Sequence, residues 1–459
     1  MRIASESPQE HGADEGRRWS LALWLCFGFA LILRLAYVVG LQTWRDAVYW
    51  DFAAIAEALL RHEGYSGRPG YYWFTAVAPT AFQAPLYTFF TALSYGLFGI
   101  RTDAAHLFMQ IVQSVVSALC VFPVAAIGAH IHSRRSGLIA AAVMAVYPAS
   151  IFLTSKLCAS TPATLLLLWI VLETLRLARR TSLPRSLLLG SLWGGMMMLY
   201  PTPTIFGLTS GVWLLLVAQP GERRRAVACV GTALAAAVLI SSPWTVRNFL
   251  VFHRPVPTVT SFGLNFFIGN NEYAHGSQQG LDYRVMGQSP KILATYPWLA
   301  PDSCSNDELR MADRMFHSAV GFVRRDPARA YRLFLRKFAV FWWRDSGHPA
   351  HGSKAETIYL VSYLTLVALG ALGAVQRALS ASMARVDSSD LTLVMLLMLS
   401  VSCLHALTAV GQSRYRMLLE PVLIPYAGIA VGSWWAVVRR RSGALRPVSS
   451  APSVPATRG

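Results

Sequence analysis

The chain has 459 residues, of which 54% are hydrophobic and 14% are charged, and its formal net charge is +18. Soluble domains usually carry about 25% charged residues, so this composition excludes an ordinary soluble domain and indicates a polytopic membrane protein. The basic residues cluster in short segments between apolar runs. This positive-inside pattern favours anionic membrane lipid as their partner and argues against nucleic acid.

The first apolar run, residues 21–41, follows Arg17 and Arg18. It is longer than the apolar region of a signal peptide and lacks a small-residue cleavage site, which predicts a retained first span behind a cytoplasmic tail at residues 1–18. Arg34 lies inside this span. A charge within the membrane suggests a functional role, although burial beside carbonyl groups would also explain it.

An amphipathic helix is predicted after the first span, because apolar residues at 52, 55, 56, 59 and 60 form one face that can lie on a bilayer surface. Asp51 begins this helix, which holds its carboxylate where proton transfer on a lipid-linked substrate would need it. The alternative is that Asp51 only caps the helix. Residues 85–99 are too short to span comfortably and are predicted to be interfacial or re-entrant, within an external loop at 42–103.

Nine further apolar segments are predicted to alternate in direction, because basic clusters end every second one. They cover residues 104–131, 137–155, 161–178, 186–200, 203–219, 226–243, 356–375, 389–409 and 417–437. The prediction is therefore an all-α protein of about ten transmembrane helices. Its core at 19–243 is followed by an extracytoplasmic region at 244–355, C-terminal helices at 356–441 and a disordered cytoplasmic tail at 442–459.

The sequence has no P-loop, dinucleotide-binding fingerprint, zinc-protease motif or nucleophile elbow, and its six cysteines show neither a disulfide framework nor metal-ligand spacing. No metal site is predicted, and dependence on a divalent cation is left open. Arg414 and Arg416 lie in a predicted external turn, against the charge bias of the rest of the chain. Such a pair can bind a phosphate through charge-assisted hydrogen bonds, with snorkelling to lipid head groups as the alternative.

Several motifs in a defined order resemble a known family. They are Gly64-Tyr65-Ser66, Pro79-Thr80-Ala81-Phe82, Ala84-Pro85-Leu86-Tyr87, Pro243-Trp244-Thr245-Val246-Arg247-Asn248, Phe262-Gly263-Leu264-Asn265 and Ile268-Gly269-Asn270-Asn271. Over most of residues 20–345 the chain is similar to the bacterial membrane glycosyltransferases of family 39. These are relatives of the protein O-mannosyltransferases and of the aminoarabinose lipid A transferases.

The resemblance implies a GT-C fold with external juxtamembrane helices, a polyprenyl-phosphate sugar donor, and inverting transfer to an extracytoplasmic acceptor at the inner membrane. It also implies a carboxylate base on the first external helix, which is Asp51, with Asp46 as the second candidate. Phosphate-binding residues are predicted at Arg414, Arg416 and Arg247, and substrate-binding residues at Gln83, Tyr87, Asn265 and Asn270. The chain departs from the family at Lys156, near the fourth span, where many relatives carry Glu.

A transporter or flippase of lipid-linked saccharides is the main alternative function. It should have broken spans, internal pseudo-symmetry and ionisable groups deep in the bundle, whereas the polar residues here concentrate at one face apart from Arg34. An O-antigen ligase or polymerase would not explain Asp51 on an amphipathic helix, and a non-catalytic scaffold is the least favoured reading. The sequence leaves the sugar and the acceptor (protein, lipid A or polymer) open.

Overall fold

The computed structural model describes residues 8–47, 51–69, 71–276, 286, 288–300, 306–343, 353–384, 389–408 and 415–444. The described part is almost entirely helical. Its two short strands, β1 (Ser66–Gly67) and β2 (Ala78–Pro79), pair antiparallel.

Most of the helices are joined by short connections, and a longer loop at residues 61–84 separates α2 from α3. In chain order they are α1 (Pro8–Leu41), α2 (Asp51–Leu60), α3 (Pro85–Phe98), α4 (Asp103–Leu119), α5 (Val121–Ile131), α6 (Arg134–Val146), α7 (Pro148–Phe152), α8 (Ser160–Arg179), α9 (Leu183–Leu199), α10 (Thr204–Val217), α11 (Arg223–Phe252), α12 (Phe262–Gly269), α13 (Pro290–Thr295), α14 (Glu308–Arg325), α15 (Pro327–Trp342), α16 (Lys354–Ala384), α17 (Ser389–Thr408) and α18 (Ile424–Ala444). Short 3₁₀ turns lie at Leu153–Ser155, Pro220–Glu222, Pro297–Leu299 and Glu420–Leu423.

Each of the ten predicted spans coincides largely with one or two of these helices. Among the described residues, six stretches are long and apolar enough to cross a membrane: Asp14–Leu41, Asp103–Ile131, Ser160–Arg179, Pro220–Phe252, Lys354–Met383 and Ser389–Thr408. The pair Arg134–Val146 and Pro148–Ser155, bent by 48°, makes a seventh if it is one span. The shorter α9 and α10 and the C-terminal α18 pack against these helices. The predicted polytopic all-α membrane architecture is confirmed.

The basic clusters meet at one end of the bundle, which we call the arginine end. There the Arg179 guanidinium donates to the His130 carbonyl oxygen (2.6 Å), and the Thr181 hydroxyl donates to Glu222 (3.2 Å). The opposite end, where α1 ends and α2 begins, is called the Asp51 end. This separation of charge is the arrangement that the positive-inside rule predicts.

Arg34 stabilises the packing of the bundle. Its guanidinium is fully buried and donates to the Ser117 hydroxyl (2.8 Å) and to the carbonyl oxygens of Ala30 (2.9 Å), Ala145 (2.9 Å) and Met144 (3.2 Å). Met144 and Ala145 lie in the last turn of α6, where carbonyl groups lack partners within the helix. Of the two readings of Arg34, the structure therefore supports burial beside carbonyl groups.

The helix that contains the predicted span at 226–243 extends beyond it, because α11 continues through Pro243 to Phe252. Proline cannot donate to the carbonyl oxygen four residues earlier, which belongs to Leu239. The Ser242 hydroxyl donates to that oxygen instead, at 2.8 Å. The boundary predicted at residue 243 consequently falls inside a helix.

Small residues allow the helices to approach closely. A side chain at Gly190 of α9 would clash with the Ala233 carbonyl of α11, and one at Gly373 of α16 would clash with the Tyr426 carbonyl of α18. Such contacts are typical of helix packing in membranes, where close van der Waals contact replaces the hydrophobic effect.

A second apolar core lies outside the bundle, in what we call the external layer: the 61–84 loop, α12, α13 and α14. Trp73, Phe82, Phe267, Met311 and Met315 are each at most 2% exposed and belong to this core. The amphipathic α14 contributes the two methionines from its apolar face. The external layer therefore has a packed interior of its own.

The apolar face of α2 packs inside the protein, not on a bilayer surface as the sequence suggested. Ile55 and Ala56 are fully buried. Ile55 joins the core of the external layer, whereas Ala56 packs with Tyr95 of α3 and Ala105 of α4. The expectation fails because α3 and α4 cover the face that periodicity alone left free.

Candidate active site at the Asp51 end

Asp51 is the first residue of the ten-residue helix α2. A carboxylate is favoured there by the free backbone N–H groups and by the helix dipole. The next residue, Phe52, packs its ring on Tyr87 with 4.9 Å between the centroids, which anchors the start of α2 to the start of α3. Asp46 is exposed in the turn that follows α1. Which carboxylate acts as the base stays a prediction.

Tyr87, predicted to bind substrate, is buried within the protein. Its hydroxyl donates to Gln113 Oε1 of α4 (2.9 Å), and Gln113 Nε2 donates to the carbonyl oxygens of Thr154 (3.0 Å) and Lys156 (2.9 Å). These bonds tie α3, α4 and the bend between α7 and α8 together next to the start of α2.

A parallel link includes the end of α1. Thr43 Oγ1 donates to Gln110 Oε1 (2.7 Å), and Gln110 Nε2 donates to the Ser155 carbonyl oxygen (2.9 Å). Two glutamine amides of α4 therefore join the end of α1, α3 and the bend between α7 and α8 at the Asp51 end.

Arg416 also has its guanidinium committed to protein partners. The residue is 1% exposed, and it donates to Glu420 (2.9 Å), to the carbonyl oxygens of Phe341 (2.8 Å) and Trp343 (2.9 Å), and to the Tyr359 hydroxyl (2.7 Å). Four of its five N–H groups are thus used. Phosphate binding by Arg416 stays a prediction, with one N–H group left to make it in this conformation.

The Arg416 cluster lies at the Asp51 end, because the hydroxyl of Tyr147, directly after α6, donates to Glu420 (2.6 Å). Arg414, the other predicted phosphate ligand of this turn, lies outside the described residues.

Arg247 connects the bundle to the external layer. Its guanidinium donates to the carbonyl oxygens of Thr80 (2.7 Å) and Tyr65 (2.9 Å) and lies 5.0 Å from the Trp244 ring centroid. Motifs of the family resemblance that are far apart in sequence, around residues 65, 80 and 247, are thereby in direct contact.

Glu308 was not anticipated from the sequence. It is 1% exposed and accepts hydrogen bonds from the hydroxyls of Thr80 and Thr260 and from the Ala81 amide (2.9 Å). Burial raises the pKa of Glu308, although these three donors and nearby Arg247 oppose the rise. Because its partners are at least 48 positions away in the chain, no local pattern marks Glu308 as the residue that holds the 79–82 motif.

The other predicted substrate-binding residues do not form one cluster with Tyr87. Gln83 is half-buried, and its carbonyl oxygen accepts from the Tyr65 hydroxyl (2.8 Å). Asn265 is exposed on α12, where its amide donates to the Ser261 carbonyl oxygen (2.9 Å). Their roles in substrate binding stay predictions.

Asn270 is buried at the end of α12 and is bonded on both sides of its amide. Nδ2 donates to the Leu407 carbonyl oxygen of α17 (2.9 Å), and Oδ1 accepts from the Lys337 ammonium of α15 (3.2 Å). Asn270 therefore holds α12, α15 and α17 together, and its predicted contact with substrate remains untested.

An open groove of about 640 Å³ lies on the external layer. Its walls carry both signs of charge, including an Arg254–Asp313 ion pair at 2.7 Å. Across the described ranges, no three His, Cys, Asp or Glu side chains come together in a way that could hold a metal ion. The dependence on a divalent cation therefore stays open.

Residues 82–246 match the protein family described as dolichyl-phosphate-mannose-protein mannosyltransferase. The matched segment contains α3, α4 and the bend at Lys156, which are the elements joined at the Asp51 end. No curated protein matches the chain.

Solved structures of the oligosaccharyltransferase from Archaeoglobus fulgidus share the fold. The complex with an inhibitory peptide and a dolichol-phosphate is 11% identical, with a TM-score of 0.56 over 96% of this chain and 53% of that one. The complex with Zn and sulfate is 11% identical, with a TM-score of 0.54 over 91% and 50%. This chain thus spans about half the length of that oligosaccharyltransferase.

The structure of ArnT from Cupriavidus metallidurans bound to undecaprenyl phosphate is 13% identical over 92% of this chain and 81% of that one, with a TM-score of 0.38. Together, the family match and the oligosaccharyltransferase structures confirm the predicted resemblance to GT-C glycosyltransferases and the predicted GT-C fold.

Proposed function

We propose that this polytopic membrane protein of GT-C fold is a glycosyltransferase that moves a sugar from a polyprenyl-phosphate donor to an extracytoplasmic acceptor. The main support is the position of Asp51 at the first residue of α2, beside the elements that the family match covers. The donor class is supported by the name of the matched family and by the dolichol-phosphate bound to the archaeal oligosaccharyltransferase. The basic clusters at the opposite, arginine end support an Asp51 end that faces away from the cytoplasm.

In the proposed reaction, the Asp51 carboxylate accepts the proton of an acceptor hydroxyl or amine as that group attacks the anomeric carbon. The bond between the anomeric carbon and the phosphate oxygen breaks, and its electron pair leaves with the lipid phosphate. Attack opposite the leaving group inverts the anomeric configuration. This single displacement does not require a covalent intermediate between the sugar and the protein.

The leaving lipid phosphate gains one negative charge, so hydrogen-bond donors that strengthen as this charge develops accelerate the reaction. Arg414, Arg416 and Arg247 are the residues predicted for this role. Arg416 and Arg247 already donate to protein carbonyl groups, which leaves few of their N–H groups for a phosphate. Arg414 lies outside the described residues, and its role stays a prediction.

The test is a transfer assay with purified protein in lipid vesicles and radiolabelled polyprenyl-phosphate sugars. We expect Asp51→Asn to reduce transfer by about 10²- to 10⁴-fold, because a positioned base contributes about that much. Asp103→Asn is the matched control, since Asp103 is likewise the first residue of a helix, α4, and is exposed. Each assay is run with a chelator and again with an added divalent cation.

Loss of transfer in Asp46→Asn with full activity in Asp51→Asn would move the base to Asp46. Full activity in both variants would overturn the carboxylate mechanism. If wild-type protein transfers no sugar but moves the donor lipid between leaflets, the protein is a flippase and the proposal is wrong.

A further inference from the structure

Lys156 has a fixed backbone and an uncommitted side chain. Its amide donates to the Leu153 carbonyl oxygen (3.2 Å), and its carbonyl oxygen accepts from Cys158 (2.8 Å) and from Gln113 (2.9 Å). The bend between α7 and α8 therefore holds the Lys156 backbone on both sides, so that its four-carbon side chain extends from a defined position.

The Lys156 ammonium lies 4.6 Å from the ring centroid of Phe152. Within the part of the chain that the structure describes, it has no hydrogen-bond or ion-pair partner. The side chain is half-buried, and this burial lowers the pKa of Lys156 from its ordinary value. A partly desolvated ammonium with only an aromatic ring beside it is an incomplete site for an anion.

Four other buried or half-buried cations that the structure describes have polar partners. Arg34, Arg247 and Arg416 each donate at least three hydrogen bonds, and Lys337 donates to the Gly269 carbonyl oxygen (3.1 Å) and to an amide oxygen. The Lys156 ammonium differs from these four cations, because no polar partner is present for it among the described residues.

Lys156 is also linked to the start of α2 by direct contacts. Its carbonyl oxygen is bonded to Gln113, Gln113 is bonded to Tyr87 (2.9 Å), and the Tyr87 ring packs on Phe52 beside Asp51. The neighbouring Cys158 is close enough to Tyr87 to interact with it electrostatically. The backbone of Lys156 and the start of α2 therefore belong to one packed unit.

We propose that the Lys156 ammonium binds the phosphate of the lipid-linked sugar donor and stabilises the charge that this phosphate gains on leaving. The inference rests on the proposed function and adds to it a residue that the sequence analysis did not place in the site. When the bond from the anomeric carbon to the phosphate oxygen breaks, the phosphate changes from a singly charged diester to a doubly charged monoester. Lys156 stays protonated, and its attraction to the phosphate increases as the bond breaks.

Binding of undecaprenyl phosphate tests this role without requiring transfer. The lipid is titrated into wild-type protein, Lys156→Met and Lys156→Arg in phosphatidylcholine nanodiscs, and binding is followed by tryptophan fluorescence. We expect Lys156→Met to bind about 10- to 100-fold more weakly, as loss of a charge-assisted hydrogen bond implies, and Lys156→Arg to retain most of the affinity. Lys291→Met is the matched control, because Lys291 also lies near an aromatic ring, 5.9 Å from Tyr273, but is exposed.

A second titration with phosphatidylglycerol separates the donor phosphate from an ordinary lipid head group. An equal loss of phosphatidylglycerol binding in Lys156→Met would overturn the assignment to the donor, and unchanged undecaprenyl phosphate binding would overturn the site itself. If binding depends on Lys156 but the wild-type protein transfers no sugar, the phosphate site stands and the proposed function fails. In the transfer assay, we expect Lys156→Met to lower kcat more than it raises KM.

Discussion

Two cations at the Asp51 end have opposite surroundings. Arg416 is 1% exposed and donates four hydrogen bonds, one of them to the Glu420 carboxylate. Lys156 is half-buried, and its ammonium lies beside the ring of Phe152, with no polar partner among the described residues. Both side chains lose part of their hydration on folding, and among the described residues Arg416 has polar protein partners that replace this water, whereas Lys156 has none.

The difference separates a residue that holds helices together from one that is available to a ligand. Arg416 bonds to α15 through Phe341 and to α16 through Tyr359, and Glu420 connects the same cluster to Tyr147. Its removal would leave a buried carboxylate without its cation. Removal of the Lys156 ammonium would leave none of the described protein groups unpaired, which favours a ligand as its polar partner.

The largest expected effect is on stability and comes from Arg416→Met. We expect it to lower the free energy of unfolding by about 3–5 kcal/mol, because Glu420 would remain buried without its partner. Thermal unfolding in detergent measures the change. Arg225→Met is the control, since its ion pair with Glu222 (2.9 Å) is exposed and should contribute about 1 kcal/mol or less. Equal effects of the two variants would refute the distinction between the clusters.

Lys337 lies between the two extremes, because its ammonium is fully buried but has only neutral acceptors, in Gly269 and Asn270. Burial lowers the pKa of Lys337 to about 7, from 10.5. Between these values the unfolded chain binds more protons than the folded one, so the free energy of unfolding rises as pH increases from about 7 towards 10.5 and falls as pH decreases over the same range. We expect a gain of about 2 kcal/mol between pH 7 and pH 9, at most 1.36 kcal/mol for each pH unit.

Unfolding curves of wild type and Lys337→Met over this pH range provide the measurement. The variant should show a flatter pH dependence, since methionine does not titrate. A slope that is identical in the two proteins would mean that Lys337 is not responsible for it.

The smallest expected effect on stability comes from Lys156→Met, which we expect to change the free energy of unfolding by about 0.5 kcal/mol or less. The reason is that the ammonium has no polar partner among the described residues, while methionine can still pack on the Phe152 ring. The same thermal unfolding assay measures it. A loss of about 2 kcal/mol or more would show that Lys156 has a structural role and would remove the contrast with Arg416.

The positions of the helices could be predicted from local patterns in the sequence. Long apolar runs must be helical in a membrane, because every backbone N–H and carbonyl group needs a partner there. Basic clusters gave the helix directions for a similarly local reason. The prediction failed at Pro243, where Ser242 supplies the hydrogen bond that proline removes, and such compensation depends on side-chain geometry that a hydropathy pattern does not contain.

The candidate site could be predicted from the sequence only in part. Asp51 was correctly expected to begin α2, since a carboxylate before an apolar periodic run is a local signal. Tyr87 and Asn270 were predicted as substrate ligands, whereas the structure gives both of them protein partners. The partners come from residues 26 and 137 positions away, beyond the reach of any local pattern.

Composition and periodicity are properties of neighbouring residues, and they were sufficient for the membrane class, the helix positions and the charge asymmetry between the two ends. Whether a buried cation is paired depends on groups brought together from distant parts of the chain. Arg416 and Lys156 are both basic residues near the ends of apolar segments, and Arg416 has a carboxylate, Glu420, four positions further on. Its other partners, the Tyr359 hydroxyl and the carbonyl oxygens of Phe341 and Trp343, come from parts of the chain at least 57 positions away. Folding gave Arg416 a carboxylate, a hydroxyl and two carbonyl groups, and it left the Lys156 ammonium beside an aromatic ring.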